Sequence, residues 1–345
     1  MLSDGCMLTT GNYDEALERF HRTGPERQGW LSNHGPMVIE ALERLGHDDR
    51  VHSWSDRYLP RLEDLPRGID PIDDVAWRDP LGDPLRTGDW INFFLAEAEQ
   101  HAWQVLLVQW WPRLLPGIAA GATHGVIRVG HAVRALRAVE SEPRRRELAH
   151  ALAYWAARWQ PVPLIPATGT GAVDAVVKTV PPVPHQQFGI RNRLAQLPDT
   201  VGWERTVGSL AGPQQDSDVP AALAGLINAV LAHYASRAHG SPTMLVHAAT
   251  APMAVANTLP SIPKPMWRPS FDAAWSASAA VLAAYAPRDS RPSRRAATAD
   301  DVLEQAIRHG GEHVIKLADT ALKAYETSGD ELALAAVLTA IDLDA

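Results

Sequence analysis

The chain has 345 residues, 46% of them apolar and 21% charged, with a formal net charge of −8; that length can bury a core without disulfides or a structural metal, and the acidic balance argues against a nucleic-acid footprint. Its single cysteine, Cys6, excludes a disulfide within the chain and suits a reducing compartment. With no basic, apolar leader in the first residues and no run of about eighteen uninterrupted apolar residues, the expectation is a cytoplasmic protein without membrane association.

In chain order the pattern reads as helix nearly throughout. Asn12-Tyr13-Asp14-Glu15 opens an amphipathic run ending near Arg22. Asn33-His34-Gly35-Pro36 leads into a helix from Met37 to Leu45, with Pro36 suited to a first turn and Gly46 to a stop. Residues 89–111 read as one helix, N-capped by Asp89 and interrupted by Pro112. Helices over 117–140 and 143–159 follow. Pro161, Pro163, Pro166, Pro181, Pro182 and Pro184 then flank Thr168-Gly-Thr-Gly171 in a connector. That glycine-rich stretch lacks the strand-to-helix setting of a phosphate cradle. Helix resumes over 219–239 and over Met244–Thr258, where Pro252 predicts a kink or break. After a Pro-rich turn at 260–269 come helices Phe271–Tyr285 and Ala299–Tyr325, and a last one from Glu331. Residues 286–298 read as a basic, solvated loop. Few runs alternate over strand length. The predicted fold is therefore all-α: a single large multi-helix domain with Pro-rich connecting loops, comprising an N-terminal helical half 1–160, a connector 161–218 and a C-terminal helical half 219–345.

Fourteen histidines and twelve tryptophans stand out. In Ala122-Thr-His-Gly-Val-Ile-Arg-Val-Gly-His131, His124 and His131 are seven apart, which on a helix places both on one face about 10.5 Å apart along the axis. Gly125 and Gly130 each cost about 1 kcal/mol relative to alanine in a helix interior, which suggests close approach by another helix or a ligand. In Gly311-Glu-His-Val-Ile-Lys316, His313 and Lys316 are helix neighbours; an ammonium has no lone pair for a metal, so Lys316 ligates only when deprotonated or carboxylated. His34 sits in a Gly/Pro turn before a helix, and His247 is a lone polar group in an apolar run. Each of these also has a plain reading as a hydrogen-bonded core histidine. No dinucleotide fingerprint, Walker A motif, nucleophile elbow or CxxC pair occurs.

Several segments together resemble the questin oxidase-like family: Ser32-Asn-His-Gly-Pro-Met37, Trp110-Trp-Pro-Arg-Leu-Leu-Pro-Gly117, Gly121-Ala-Thr-His-Gly-Val-Ile-Arg128 with His131-Ala-Val-Arg-Ala-Leu136, Leu152-Ala-Tyr-Trp-Ala-Ala-Arg158, His247-Ala-Ala-Thr-Ala-Pro252 and Glu312-His-Val-Ile-Lys-Leu317. The resemblance implies an oxygen-dependent oxidoreductase that opens the ring of an anthraquinone-type polyketide. It implies non-haem iron(II) held by histidines and a carboxylated lysine, with O₂ as co-substrate and NADPH as an associated reductant. Carried over by motif, His34, His124 and His131 are the leading ligands, His247 and His313 compete for a further position, and Lys316 is the modified lysine. Trp30, Trp110 and Trp111 are candidates for a flat pocket wall, and Arg128 for orienting a phenolate. A metal-dependent hydrolase or lyase and a non-catalytic aromatic-ligand-binding protein are the alternatives. The expected partner is a small aromatic molecule, with neither nucleic acid nor membrane.

Overall fold

The computed structural model describes residues 11–294 and 298–344; Cys6 and part of the basic 286–298 segment lie outside them. The chain forms an all-α fold. Its first helices are α1 (Asn12–Phe20), α2 (Gly35–Arg44) and α3 (Val51–Tyr58), which share a small core built on Phe20, Ile39, Leu42, Trp54 and Tyr58. Between α1 and α2 a short antiparallel hairpin pairs Glu26–Arg27 with Leu31–Ser32, turning through Gln28 and Gly29 at positive φ. α4 (Thr87–Gln100), α5 (Trp103–Leu114), α6 (His124–Ala138) and α7 (Glu142–Ala157) complete the N-terminal half. The connector carries only short helices, α8 (Val173–Val177), α9 (Ile190–Leu194) and α10 (Trp203–Gly208). The C-terminal half holds α11 (Val219–Arg237), α12 (Pro242–Leu245), α13 (His247–Thr258), α14 (Trp267–Tyr285), α15 (Ala299–His309), α16 (Glu312–Ser328) and α17 (Glu331–Leu343).

One hydrophobic core runs through both halves, from Met37 to Ala340. Its seam is the packing of α6 against α13. A Cβ added at Gly130 would stand 2.5 Å from the Ala254 Cβ, and one at Gly125 would stand 2.8 Å from the Trp155 ring. The two glycines thus let α6 meet a helix on one side and an indole on the other. α11 packs on α13, α14, α16 and α17. Its segment Asp216–Gly240 is long and apolar enough to cross a membrane by composition, yet 56% of that window is buried inside the fold.

Several predicted boundaries differ from those found; the helix read over Met244–Thr258, for one, is divided at Val246 into α12 and α13. The helix read over 89–111 breaks at His101, which is extended, and Pro112 sits inside α5. The helix read from 117 starts only at His124, because Gly121, Ala122 and Thr123 all hold positive φ. That left-handed run disfavours residues with a Cβ by about 1–2 kcal/mol each, and no propensity in the segment announces it. The helix read over Ala299–Tyr325 is two, parted at Gly310 with φ of 75°. Pro252, by contrast, does not end α13, which runs through it to Thr258. The Ala248 carbonyl, which a residue 252 N–H would have bonded, accepts the Ser278 hydroxyl of α14 at 2.8 Å, so the proline leaves no orphaned acceptor. Thr168-Gly-Thr-Gly171 bridges to Leu210 and Ala211. A Cβ at Gly169 would fall 2.1 Å from the Ser209 carbonyl oxygen, so close backbone pairing accounts for that glycine.

Candidate metal centre

The start of each of four helices delivers one imidazole to a common point. His34 precedes α2, His124 and His247 are the first residues of α6 and α13, and His313 is the second residue of α16. One ring nitrogen from each lies within 4.8 Å of all the others. His124 Nε2 is 2.8 Å from His34 Nε2 and 3.1 Å from His247 Nε2. The His313 ring packs edge-on to that of His34, centroids 4.6 Å apart, and 5.4 Å from that of His247. Lys316, one turn beyond His313 and fully buried, brings Nζ to 3.3 Å from His124 Nε2.

The backbone fixes the ring tautomers. His124 Nδ1 lies 2.6 Å from the Gly121 carbonyl and His247 Nδ1 lies 3.0 Å from the Met244 carbonyl. A carbonyl only accepts, so each Nδ1 carries the proton and each Nε2 presents a lone pair. Two lone pairs then face each other at 3.1 Å, an arrangement that a cation between them resolves. His34 is held by Tyr58, whose hydroxyl oxygen accepts the His34 backbone N–H at 2.9 Å and lies 3.2 Å from Nδ1. Partners of this kind on the outer ring nitrogen orient metal-bound histidines and raise their basicity.

Electrostatics keep the donors neutral. Burial, and then the Lys316 charge, holds His34, His124 and His313 well below the ordinary imidazole range. The same two causes bring His247 down to about 3. Burial lowers Lys316 to about 7 against the opposing pull of Glu312. Burial pushes the Tyr58 hydroxyl up to about 12. Four neutral imidazoles can hold a metal ion, and imidazole suits iron as well as zinc. Both competitors for the fourth position, His247 and His313, therefore belong to the cluster.

His131 does not join them. Side chains on a helix lean toward its N-terminus in parallel, so the two-turn separation from His124 is not closed. Its Nδ1 instead meets Glu40 Oε2 at 2.7 Å. Arg134 also binds Glu40 and reaches Asp319 Oδ2 at 3.0 Å, and Arg44 binds Asp319 too. Burial would raise Glu40, but Arg134 and His131 outweigh it and bring the carboxyl to about 2. This buried network joins α2, α6 and α16, three of the four helices that carry the clustered histidines. His131 thus belongs to this network and not to the histidine cluster.

Arg128 is likewise committed. It donates to both oxygens of Glu147, at 2.6 and 2.9 Å, and His21 Nε2 lies 3.1 Å from the same carboxylate. The pair ties α6 to α7 and commits Nε and one Nη of the guanidinium to Glu147. The tryptophans do not form a pocket wall either. Trp30 is 66% exposed near the hairpin turn, while Trp110 and Trp111 are fully buried. Trp110 packs on Trp77, Trp90 and Phe94, and Trp111 donates to Ser270 and packs on Trp155. A cavity of about 430 Å³ lies elsewhere, lined by Trp54 and Ile315 among others. Trp54 stacks on Tyr58, centroids 4.7 Å apart, so this cavity is linked to His34 through two aromatic rings.

Sequence reasoning did not identify Tyr58, Glu40, Arg134 or Asp319. The available signal was polar residues on otherwise apolar helical faces, since a buried charge needs a partner. Compared with known proteins, the chain matches no family model and no curated sequence.

Proposed function

We propose that the chain is a non-haem iron oxygenase of the questin oxidase-like kind, acting on an aromatic polyketide of the anthraquinone type. The observation that carries this reading is the cluster of His34, His124, His247 and His313 beside the buried amine of Lys316. Iron(II) held by these residues would supply Lewis acidity and one-electron chemistry with O₂. The protein's own part is to keep four lone pairs neutral and aimed inward, through the Gly121 and Met244 carbonyls and Tyr58. The four histidines bring no charge, so a divalent ion there, even with one anionic carbamate beside it, would stay net positive and favour anionic partners such as a phenolate. The four helix N-terminal ends directed at the cluster add to that preference. Lys316 contributes an amine that is substantially uncharged at neutral pH. Such an amine adds to CO₂, forming an N–C bond and losing one proton, and the resulting carbamate offers oxygen donors where an ammonium offers none.

The test is metal analysis of untagged protein together with O₂ uptake on hydroxyanthraquinones. About one iron per chain, lost in His124→Ala, with substrate-dependent O₂ uptake, is the expected result. Zinc or manganese with no O₂ uptake would replace this reading with a hydrolase or lyase.

A further inference from the structure

A second cluster of basic groups stands apart from the metal centre, where the ends of α8, α11 and α14 meet the loop after Tyr285. A cavity of about 280 Å³ there is lined by Lys178, Arg237, Arg288 and His233, with apolar walls that include Val180 and Leu282. Its lining contains no carboxylate. Of the carboxylates adjoining it in the chain, Asp289 lies 3.3 Å from His239, and Asp174, one turn before Lys178, is exposed. Lys178 and Arg237 stand at the C-terminal ends of α8 and α11, where a cation is favoured on dipole grounds. That accounts for their sign but not for His233. The His233 side chain is 6% exposed, and neither ring nitrogen has a hydrogen-bond partner among the described residues. A buried polar group without a partner costs about 1–3 kcal/mol, and native structures rarely leave one without a reason.

We propose that this cavity is a binding site for a small organic phosphate monoester, with the phosphate between Arg237, Lys178 and Arg288, His233 donating from the floor, and the apolar body against Val180 and Leu282. Three cations with no carboxylate among them match a dianionic head better than a single carboxylate. Burial, with the charges of Arg237 and Lys178, brings His233 to about 4 in the protein alone; a neutral imidazole already offers one N–H to a phosphate. The site does not depend on the metal centre or on its chemistry.

Isothermal titration of the full-length chain with phenyl phosphate, inorganic phosphate and benzoate tests this. Phenyl phosphate should bind one to one and more tightly than the other two. Arg237→Gln and His233→Gln should each weaken it by about tenfold or more. Arg50→Gln with Arg57→Gln, two arginines that line the separate cavity beside Trp54, should leave it unchanged. Circular dichroism checks that each variant is folded; should Arg237→Gln fail to fold, Lys178→Gln at the exposed rim should still weaken binding. No binding of any probe up to about 10 mM, or equal binding by wild type and the folded variants, would overturn the proposal.

Discussion

At the scale of single residues, the division between ligand and support gives two predictions. His247→Ala removes a ligand and should abolish stoichiometric metal binding. His131→Ala should retain the metal while losing about 1.5–3 kcal/mol of stability, since it removes a buried hydrogen bond to the charged Glu40. Metal analysis of both variants beside urea unfolding separates the two roles; metal loss in His131→Ala alone would reverse the assignment. The second prediction concerns pH in the metal-free protein. His34, His124, His247 and His313 all have folded values below the imidazole's unfolded one. Between those values the unfolded chain binds more protons, so stability rises with pH. Their contribution is therefore complete above about pH 6.5 and is lost as pH falls toward 3. Glu40 and Glu147, each brought to about 2, add a further loss between about pH 4.5 and 2. Calorimetry should show the melting temperature falling from pH 6.5 downward, less steeply in His247→Ala; a flat profile between pH 6.5 and 5 would contradict the neutral-imidazole picture.

At the scale of elements, what places the ligands is how each helix begins. The run of positive φ through Gly121, Ala122 and Thr123 delays α6 until His124, so that the imidazole leaves the first turn beside the Gly121 carbonyl it bonds. Ala122 bears the strain of that turn, with φ of 59°. Ala122→Gly should leave the chain as stable or stabilise it by up to about 1 kcal/mol, and Ala122→Val should destabilise it by more than that. Thermal melts of the two variants measure the difference. α13 continues through Pro252, and the Ser278 hydroxyl takes the Ala248 carbonyl that the proline leaves without an N–H. Ser278→Ala should cost about 1–3 kcal/mol but distinctly less in a Pro252→Ala background, where a restored N–H can take that carbonyl. A double-mutant cycle by urea unfolding reads this coupling, and additivity of the two changes would show that the hydroxyl does not serve the proline.

At the scale of the whole molecule, the centre joins both halves of the chain. His34 and His124 come from the first, His247 and His313 from the second, and α6 meets α13 at Gly130 and Ala254. An ion bound only by the folded state stabilises it by mass action, by about 4 kcal/mol at a thousandfold excess over its Kd. Removing the ion with a chelator should therefore lower the melting temperature by several degrees for a chain of this size. His131→Ala should show the same chelator response and His247→Ala none. The second basic cavity lies at the far ends of α8 and α11 and should not respond to the chelator.

The all-α class and most helices followed from sequence alone, because helical periodicity and proline punctuation are local properties that act within a few residues. The members of the cluster were also legible as candidates: His34 in its turn, His247 in its apolar run, His124 by its spacing and flanking glycines, and His313 with Lys316 as helix neighbours. Tertiary structure decided which of them meet. The seven-residue spacing that suggested His131 describes one face of one helix, whereas a centre built from four helix starts depends on how α2, α6, α13 and α16 pack. The same is true of Arg128, Trp110 and Trp111, whose partners Glu147, Trp90 and Ser270 are 19, 20 and 159 residues away. Spacing along a chain fixes what a helix face presents; only packing across the core determines what that face meets.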